Sequence, residues 1–170
     1  MTDLESRLRS LENRASLQDL VVRYFVASDD DDYLTLASQF SADATFNAAG
    51  QTVAEGCEAV IAFIRSAREN MGLTIHTPDF SLFDFQDGDH ATGLVGAHLE
   101  LSIAGKSLFG AVRYKDRYFR QDGRWLFQAR TLQVIHIGPW EEIGRSLTEP
   151  LRVRWPGVEP QPSEVGDHNK

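Results

Sequence analysis

Two hydrophobic periods divide the chain. In the first 70 residues, apolar side chains recur every three or four positions, which is typical of amphipathic helices. From residue 73 onward the period changes to two and runs through four long segments, a pattern that predicts β-strands. The segments are separated by turn-like sequences at residues 86–89, 104–105 and 121–123. Helices followed by a meander of strands predict the α+β class, in which helices pack on one face of an antiparallel sheet.

The helical part of the chain predicts three helices. Neither glycine nor proline interrupts residues 1–49, and the acidic run at residues 29–32 is predicted to end the first helix. The same run is predicted to cap a short second helix, because an aspartate at the N-cap accepts a hydrogen bond from a free backbone N–H. Residues 42–48 predict a first strand, and residues 57–70 predict the third helix.

The length of 170 residues fits one domain, which we place at residues 1–148. Residues 149–170 form a C-terminal extension with several prolines and glycines, and we expect its end to be mobile. The net charge of −8 argues against nucleic acid as a partner, since phosphate binding requires a basic surface. The same charge gives no attraction to an anionic membrane surface.

Cysteine content and hydropathy indicate a reducing environment. Cys57 is the single cysteine, so no disulfide can form within the chain. The charged N-terminal segment lacks the apolar stretch of a secretory signal. No apolar run approaches the roughly 20 residues that a membrane-spanning helix needs. We therefore expect a cytoplasmic protein.

Asp29 and His76 are the main candidates for proton transfer. Asp29 lies five residues after Tyr24, so both side chains could border one cavity at the end of the first helix. His76 lies on a predicted strand just before Pro78, and histidine is the side chain best suited to proton transfer near neutral pH. A solvated helix end and a structural histidine remain the alternatives for these two positions.

The predicted strand around His98 has one uniformly apolar face, which is the better core face. That face consists of Val95, Ala97, Leu99 and Leu101. Leu94 and His98 share the opposite face, so His98 points either to solvent or to a polar-lined cavity. On the next strand, Asp116 lies between Tyr114 and Tyr118 on one face and could accept a phenolic hydrogen bond. We interpret that group as structural.

Several kinds of site lack their sequence motif. The chain has neither a glycine-rich dinucleotide or phosphate loop nor a His-Glu-x-x-His zinc motif. A metal site made of Asp29, His76 and His98 is conceivable, but the spacing gives no reason to prefer it to acid–base use. We therefore predict no metal site.

Ordered motifs across residues 4–135 resemble the SnoaL-like branch of the nuclear transport factor 2-like superfamily. The opening motif is DLVVRYFVASDDDDYLTLASQFSADATF, with an aromatic residue on a helix, an aspartate five positions later, a short helix and the entry to a strand. GCEAVIAFI resembles the third helix of that branch. The segment around His76, then DGDHATG, then Tyr114-x-Asp116 and DGRW complete the pattern in order.

The resemblance implies a cone-shaped half-barrel of bent antiparallel sheet, closed by the three N-terminal helices. It also implies an apolar pocket, a homo-oligomeric dimer or trimer, and no cofactor. In lyases of this family, an Asp–His pair removes a proton while water or an anion leaves. The resemblance assigns these catalytic roles to Asp29 and His76, with Tyr24 as the pocket tyrosine. The residues expected to bind the substrate are Phe46, Phe63, Leu94, His98 and Tyr114.

The sequence thus leads to two functional hypotheses. The first is a cofactor-independent lyase or isomerase that carries out a dehydratase-like elimination on a small, hydrophobic, ring-containing molecule. Its general base is His76, and Asp29 orients the imidazole. The second is a catalytically silent module of the same fold that binds a small molecule or serves in assembly.

Overall fold

The computed structural model describes residues 3–166 and has the predicted α+β architecture, with three helices in the N-terminal part. The helices and strands in chain order are α1 (Asp3–Asp29), α2 (Tyr33–Ala37), β1 (Phe40–Ala48), β2 (Gln51–Glu55), α3 (Cys57–Arg68), β3 (Met71–Phe85), β4 (His90–Ile103), β5 (Lys106–Gln121), β6 (Arg124–Pro139), a 3-10 turn (Trp140–Glu142) and α4 (Ile143–Ser146). Within residues 3–166, every helix is too short or too polar to cross a lipid bilayer.

The acidic run ends one helix and caps the next, as predicted. Helix α1 ends at Asp29, and Asp31 adopts a left-handed conformation with φ of 56° that turns the chain. The Asp32 side chain then accepts a hydrogen bond from the Thr35 backbone N–H at the start of α2. Four neighbouring aspartates therefore have different structural surroundings, although they look alike in the sequence.

The six strands form one sheet in the order β2-β1-β6-β5-β4-β3. Strands β3 to β6 are the antiparallel meander that the period of two predicts. Strand β1 pairs with β6 in parallel, which the expectation of a purely antiparallel sheet did not include. The short strand β2 was also missed. It returns along β1 through a turn in which Ala49 and Gly50 have φ values of 50° and 75°.

The sheet is curved and unclosed, with β2 and β3 at its edges. Pairing shifts by one residue at several bulges, and bulges bend the strands that carry them. The inner face, as we call it, contains the buried row of β4 that was predicted as the core face: Val95, Ala97, Leu99 and Leu101. The buried side of α1 joins the same hydrophobic core through Leu17, Val21 and Phe25. The other side of the sheet is the outer face.

The C-terminal extension lies along the part of β6 that β1 does not cover. Val153 is buried and bridges both Ile137 and Gln161. The Glu164 carboxylate accepts a hydrogen bond from the Val134 backbone N–H at 2.6 Å. The predicted mobile end of the extension, residues 167–170, lies outside the described residues.

Replacing Gly110 with alanine is expected to destabilise the fold. Gly110 lies on the inner face between Leu99 and Ile137, and an added Cβ would lie 2.6 Å from the His136 carbonyl oxygen. Overpacking of this kind costs about 1–3 kcal/mol. Urea unfolding should show a lower midpoint for Gly110→Ala. Gly144→Ala is the control, because nothing lies within 4 Å of its Cβ position. Equal midpoints for wild type and Gly110→Ala would contradict this account of the sheet.

Candidate active site

Asp29 and His76 form a direct hydrogen bond. Nδ1 of His76 lies 2.6 Å from Oδ1 of Asp29, and the His76 backbone N–H donates to Oδ2 at 2.8 Å. Asp29 is the last residue of α1 and His76 faces inward from β3, so this contact joins the helix end to the sheet. The two side chains are 18% and 14% exposed, which leaves the pair accessible from solvent.

The hydrogen bond determines which ring nitrogen of His76 can accept a proton. An ionised carboxylate only accepts hydrogen bonds, so Nδ1 carries the proton and Nε2 of the neutral ring has the free lone pair. Nε2 has no hydrogen-bond partner within residues 3–166. The Phe25 ring stacks on the imidazole at 5.0 Å with an interplanar angle of 12°. This arrangement suits a general base.

The surroundings of Asp29 keep its carboxyl group ionised. Burial alone would raise its pKa, but hydrogen bonds and charge attraction from His76, together with the Thr74 hydroxyl, hold the pKa below its ordinary value. The Thr74 hydroxyl donates to Oδ1 at 2.8 Å. Asp29 is therefore a carboxylate acceptor at neutral pH.

Arg130 is a buried cation in an aromatic box. Its residue exposure is 0%, and its guanidinium carbon lies 4.0 Å from the ring centroids of both Tyr24 and Tyr114. The nearest carboxylate is Asp116, whose Oδ1 lies 3.7 Å from Nε, beyond hydrogen-bond reach. All three guanidinium nitrogens lack a hydrogen-bond partner within the described residues.

Unpaired donors on a buried cation are costly unless a ligand or water uses them. The Arg130 donors therefore suit an anion or a carbonyl oxygen. Arg130 and His76 are close to each other in the fold, because both lie against the Phe25 ring, at 5.3 Å and 5.0 Å. A histidine with an unpaired Nε2 and a buried guanidinium thus share one side of the sheet.

The acidic and phenolic groups around Arg130 stay protonated more readily than usual. Burial raises the pKa of Tyr24 and of Tyr114, although the Arg130 charge opposes the shift. Burial also raises the pKa of Asp116, which Arg130 and a hydrogen bond from the Tyr118 hydroxyl at 2.8 Å partly offset. The predicted phenolic hydrogen bond to Asp116 is confirmed. The Tyr24 hydroxyl stays a donor at neutral pH.

Most of the predicted site residues lie on the inner face or on the helices next to it. Tyr24 and Tyr114 flank Arg130, and Phe46 is the neighbour of Arg130 in the β1–β6 ladder. Phe63 packs on Phe46 with ring centroids 5.4 Å apart. Tyr24 and Tyr114 therefore enclose the Arg130 guanidinium, and Phe46 and Phe63 follow next to it at the β1 side of the sheet.

Leu94 and His98 lie elsewhere, and this corrects the prediction that they line the pocket. Both are on the outer face, because side chains of a strand alternate and the positions from Val95 to Leu101 with odd numbers point to the core. His98 is hydrogen-bonded to Asp79 at 2.9 Å and stacks on Phe109. The conceivable metal site of Asp29, His76 and His98 is therefore not assembled. Within residues 3–166, no group of three or more potential ligands is arranged for a metal.

Arg130, Phe25 and Thr74 are site residues that sequence reasoning missed. Arg130 had a recognisable signal, since it is the only charged side chain between Trp125 and Ile135 of a strand that is otherwise largely apolar. A buried strand seldom contains an arginine without a partner or a function. Phe25 and Thr74 had no signal beyond their positions near Asp29 and His76.

Several solved structures share this fold. LinA has the same fold at a TM-score of 0.76, with 26% identity over 81% of this chain and 96% of that chain. The hexachlorocyclohexane dehydrochlorinase LinA-type3 of Novosphingobium barchaimii has a TM-score of 0.75, with 23% identity over 81% of this chain and 96% of that one. A scytalone dehydratase-like protein of Novosphingobium aromaticivorans reaches 0.75, with 16% identity over 94% and 97%.

The latter two similarities concern the fold alone. No functionally curated protein matches the chain in sequence. The sequence profile of the SnoaL-like domain matches residues 9–131, which is most of the chain and includes Asp29, His76 and Arg130. The chain belongs to the SnoaL-like family within the nuclear transport factor 2-like superfamily.

Proposed function

We propose that the chain is a cofactor-independent lyase or isomerase that acts on a small, hydrophobic, ring-containing molecule. The observation that carries this proposal is the 2.6 Å contact between Asp29 and His76, which leaves Nε2 of His76 free to accept a proton. The fold supports a lyase-like reading, because structures of a dehydrochlorinase and of a scytalone dehydratase-like protein share it.

In the proposed reaction, Nε2 of His76 removes a proton from a carbon of the substrate. Asp29 holds the imidazole in the required tautomer and stabilises the imidazolium that forms. The electron pair of the broken C–H bond forms a C=C bond, and the neighbouring bond to the leaving group breaks. A positioned general base of this kind contributes a factor of about 10²–10⁴ to the rate.

Arg130 stabilises the negative charge that leaves or develops. Its unused donors would bind a departing anion, or the oxygen of an enolate if the reaction is an isomerisation. The Tyr24 hydroxyl supplies a further donor, because burial raises its pKa and keeps it protonated. Proton removal and anion loss are redox-neutral, so the proposed chemistry needs no cofactor.

The substrate class follows from the walls of the site. The Phe25 ring stacks on the base, and four aromatic rings surround the Arg130 guanidinium. Such walls favour a hydrophobic ring over a flexible polar molecule. Hexachlorocyclohexane and scytalone are the first compounds to test, since proteins named for them share the fold. Chloride would leave hexachlorocyclohexane as the anion. In the scytalone reaction, the departing hydroxide would take the proton held by the His76 imidazolium and leave as water.

Self-association through the outer face is a further part of the proposal. Leu73, Ile75, Phe80 and Leu82 of β3 are all exposed, and apolar clusters of this kind mark contact surfaces. We expect a second copy of the chain to cover them, which gives the homo-oligomer expected from the family. The same surface favours the alternative function, a catalytically silent binding or assembly module. The cytoplasmic location stays a prediction.

His76→Ala and Asp29→Asn should each lower turnover of the accepted compound by about 10²–10⁴, because the general base or its orienting partner is lost. Chloride release or product absorbance measures the rate, and circular dichroism checks the fold. His90→Ala is the matched control, since His90 also pairs with an aspartate, Asp87, but in an exposed turn.

Full turnover by His76→Ala would contradict the proposed base. If the wild type binds these compounds but converts neither of them nor related cyclic compounds, the result supports the binding module instead.

Arg130→Met should lower turnover by about 10²–10³, because the donors that stabilise the developing charge are lost. Arg130→Lys should recover only part of the rate, since an ammonium does not reproduce the planar guanidinium fork. Arg113→Met, on the outer face opposite Gly96, is the control and should keep wild-type turnover. A folded Arg130→Met variant with an unchanged rate would exclude the charge-stabilising role.

Leu82→Asp should shift the protein toward monomers, because a charge would replace an apolar side chain that is 59% exposed on the outer face. Sedimentation velocity measures the mass of the particle. Leu34→Asp on α2 places the same charge at another exposed leucine, away from the sheet, and should leave the mass unchanged. A wild-type monomer would overturn the proposed self-association.

A further inference from the structure

Arg68 and Thr74 form a hydrogen-bonded relay behind Asp29. Nη1 of Arg68 donates to the Thr74 hydroxyl oxygen at 2.7 Å, and that hydroxyl donates to Oδ1 of Asp29 at 2.8 Å. A guanidinium can only donate, so Arg68 takes a lone pair of the Thr74 oxygen. The single hydroxyl proton of Thr74 is then directed to Asp29. The contact with Arg68 therefore fixes the direction of the hydrogen bond from Thr74 to Asp29.

Asp31 holds Arg68 in this position. The Arg68 guanidinium binds the Asp31 carboxylate through Nε at 2.8 Å and Nη2 at 3.2 Å, a two-point contact with defined geometry. The Arg68 side chain is only 10% exposed, although its partner is half exposed. The relay thus connects the end of α3, the turn after α1 and the start of β3 at one point.

The four aspartates of the acidic run make different contacts at this junction. Asp29 accepts from His76, Asp31 holds Arg68, and Asp32 caps α2. Asp30 is exposed and makes no side-chain hydrogen bond within the described residues. Asp31 binds two of the Arg68 nitrogens, and the third, Nη1, donates to the Thr74 hydroxyl at 2.7 Å and to the Gly72 carbonyl oxygen at 3.4 Å.

We propose that Arg68 and Thr74 are positioning residues that orient the Asp29 carboxylate for His76. Oδ1 of Asp29 accepts from both the Thr74 hydroxyl and Nδ1 of His76, so the threonine limits rotation of the carboxylate. Removing the threonine donor leaves the carboxylate held by His76 alone. This inference rests on the proposed acid–base function for its consequence, but the relay itself can be tested without any substrate.

Thr74→Val tests the relay in the purified full chain by NMR. The ring Nδ1–H proton of His76 should exchange with water about 2- to 10-fold faster, which corresponds to the loss of one ordinary hydrogen bond. The pKa of the Asp29 carboxyl, followed by its ¹³C signal, should rise toward its ordinary value because one of the donors that lower it is gone. Thr74→Ser keeps the hydroxyl and should resemble the wild type.

Arg68→Gln tests whether Arg68 acts through Thr74. In the wild-type background it should change both readouts in the same direction as Thr74→Val, and in the Thr74→Val background it should add little. Arg65→Gln is the control, because Arg65 lies in the same helical turn but stacks on Tyr33 instead. Asp30→Asn is a second control within the acidic run.

Unchanged exchange and an unchanged Asp29 pKa in Thr74→Val would overturn the relay. Equal effects of Arg68→Gln in both backgrounds would show that Arg68 acts by charge or packing and not through Thr74. These outcomes are separate from the test of the lyase. The lyase proposal is contradicted if the wild type itself shows no turnover. The NMR measurements test the relay in either case.

Discussion

Hydrogen bonds to the Asp29 carboxylate join the end of helix α1 to strand β3 of the sheet. Asp29 is the last residue of α1, yet its oxygens accept hydrogen bonds from the His76 ring, the His76 backbone and the Thr74 hydroxyl, all on β3. Burial of a carboxylate opposes ionisation, and these donors more than offset that effect, so the pKa of Asp29 is lowered. The contacts fix both the position of the helix end and the tautomer of the histidine.

The Arg130 guanidinium, unlike the Asp29 carboxylate, has no hydrogen-bond partner within the described residues. Its donors are unused in a site from which solvent is excluded, and its charge is balanced by aromatic faces and by Asp116 at 3.7 Å. An arrangement made only for stability would place hydrophobic side chains there. Groups that break the rules of stable packing are expected at functional sites. The pairing of a fully satisfied Asp29 with an unsatisfied Arg130 is what makes the inner face a candidate for chemistry.

A register shift in β3 directs its side chains to different faces of the sheet. At the register shift between Pro78 and Phe80, the alternation of β3 breaks, so His76 points inward while the Phe80 ring lies over Gly96 on the outside. His98, which is hydrogen-bonded to Asp79, is also outside. Two Asp–His pairs with similar local geometry thus occur on opposite faces. Within residues 3–166, the inner pair lies beside the buried Arg130, with which it shares the Phe25 ring, and the proposed function depends on that neighbour.

Local periodicity and capping determined much of the architecture from the sequence alone. The helical and strand periods predicted three helices and the antiparallel meander, and the acidic run marked the end of α1 and the cap of α2, because these features depend on neighbours within a few positions. The ordered family motifs added the Asp29–His76 pair. The tertiary structure alone decided the parallel β1–β6 pairing, the aromatic box of Arg130 and the relay from Arg68. These features join residues far apart in the chain, and hydrophobic periods carry no information about such partners.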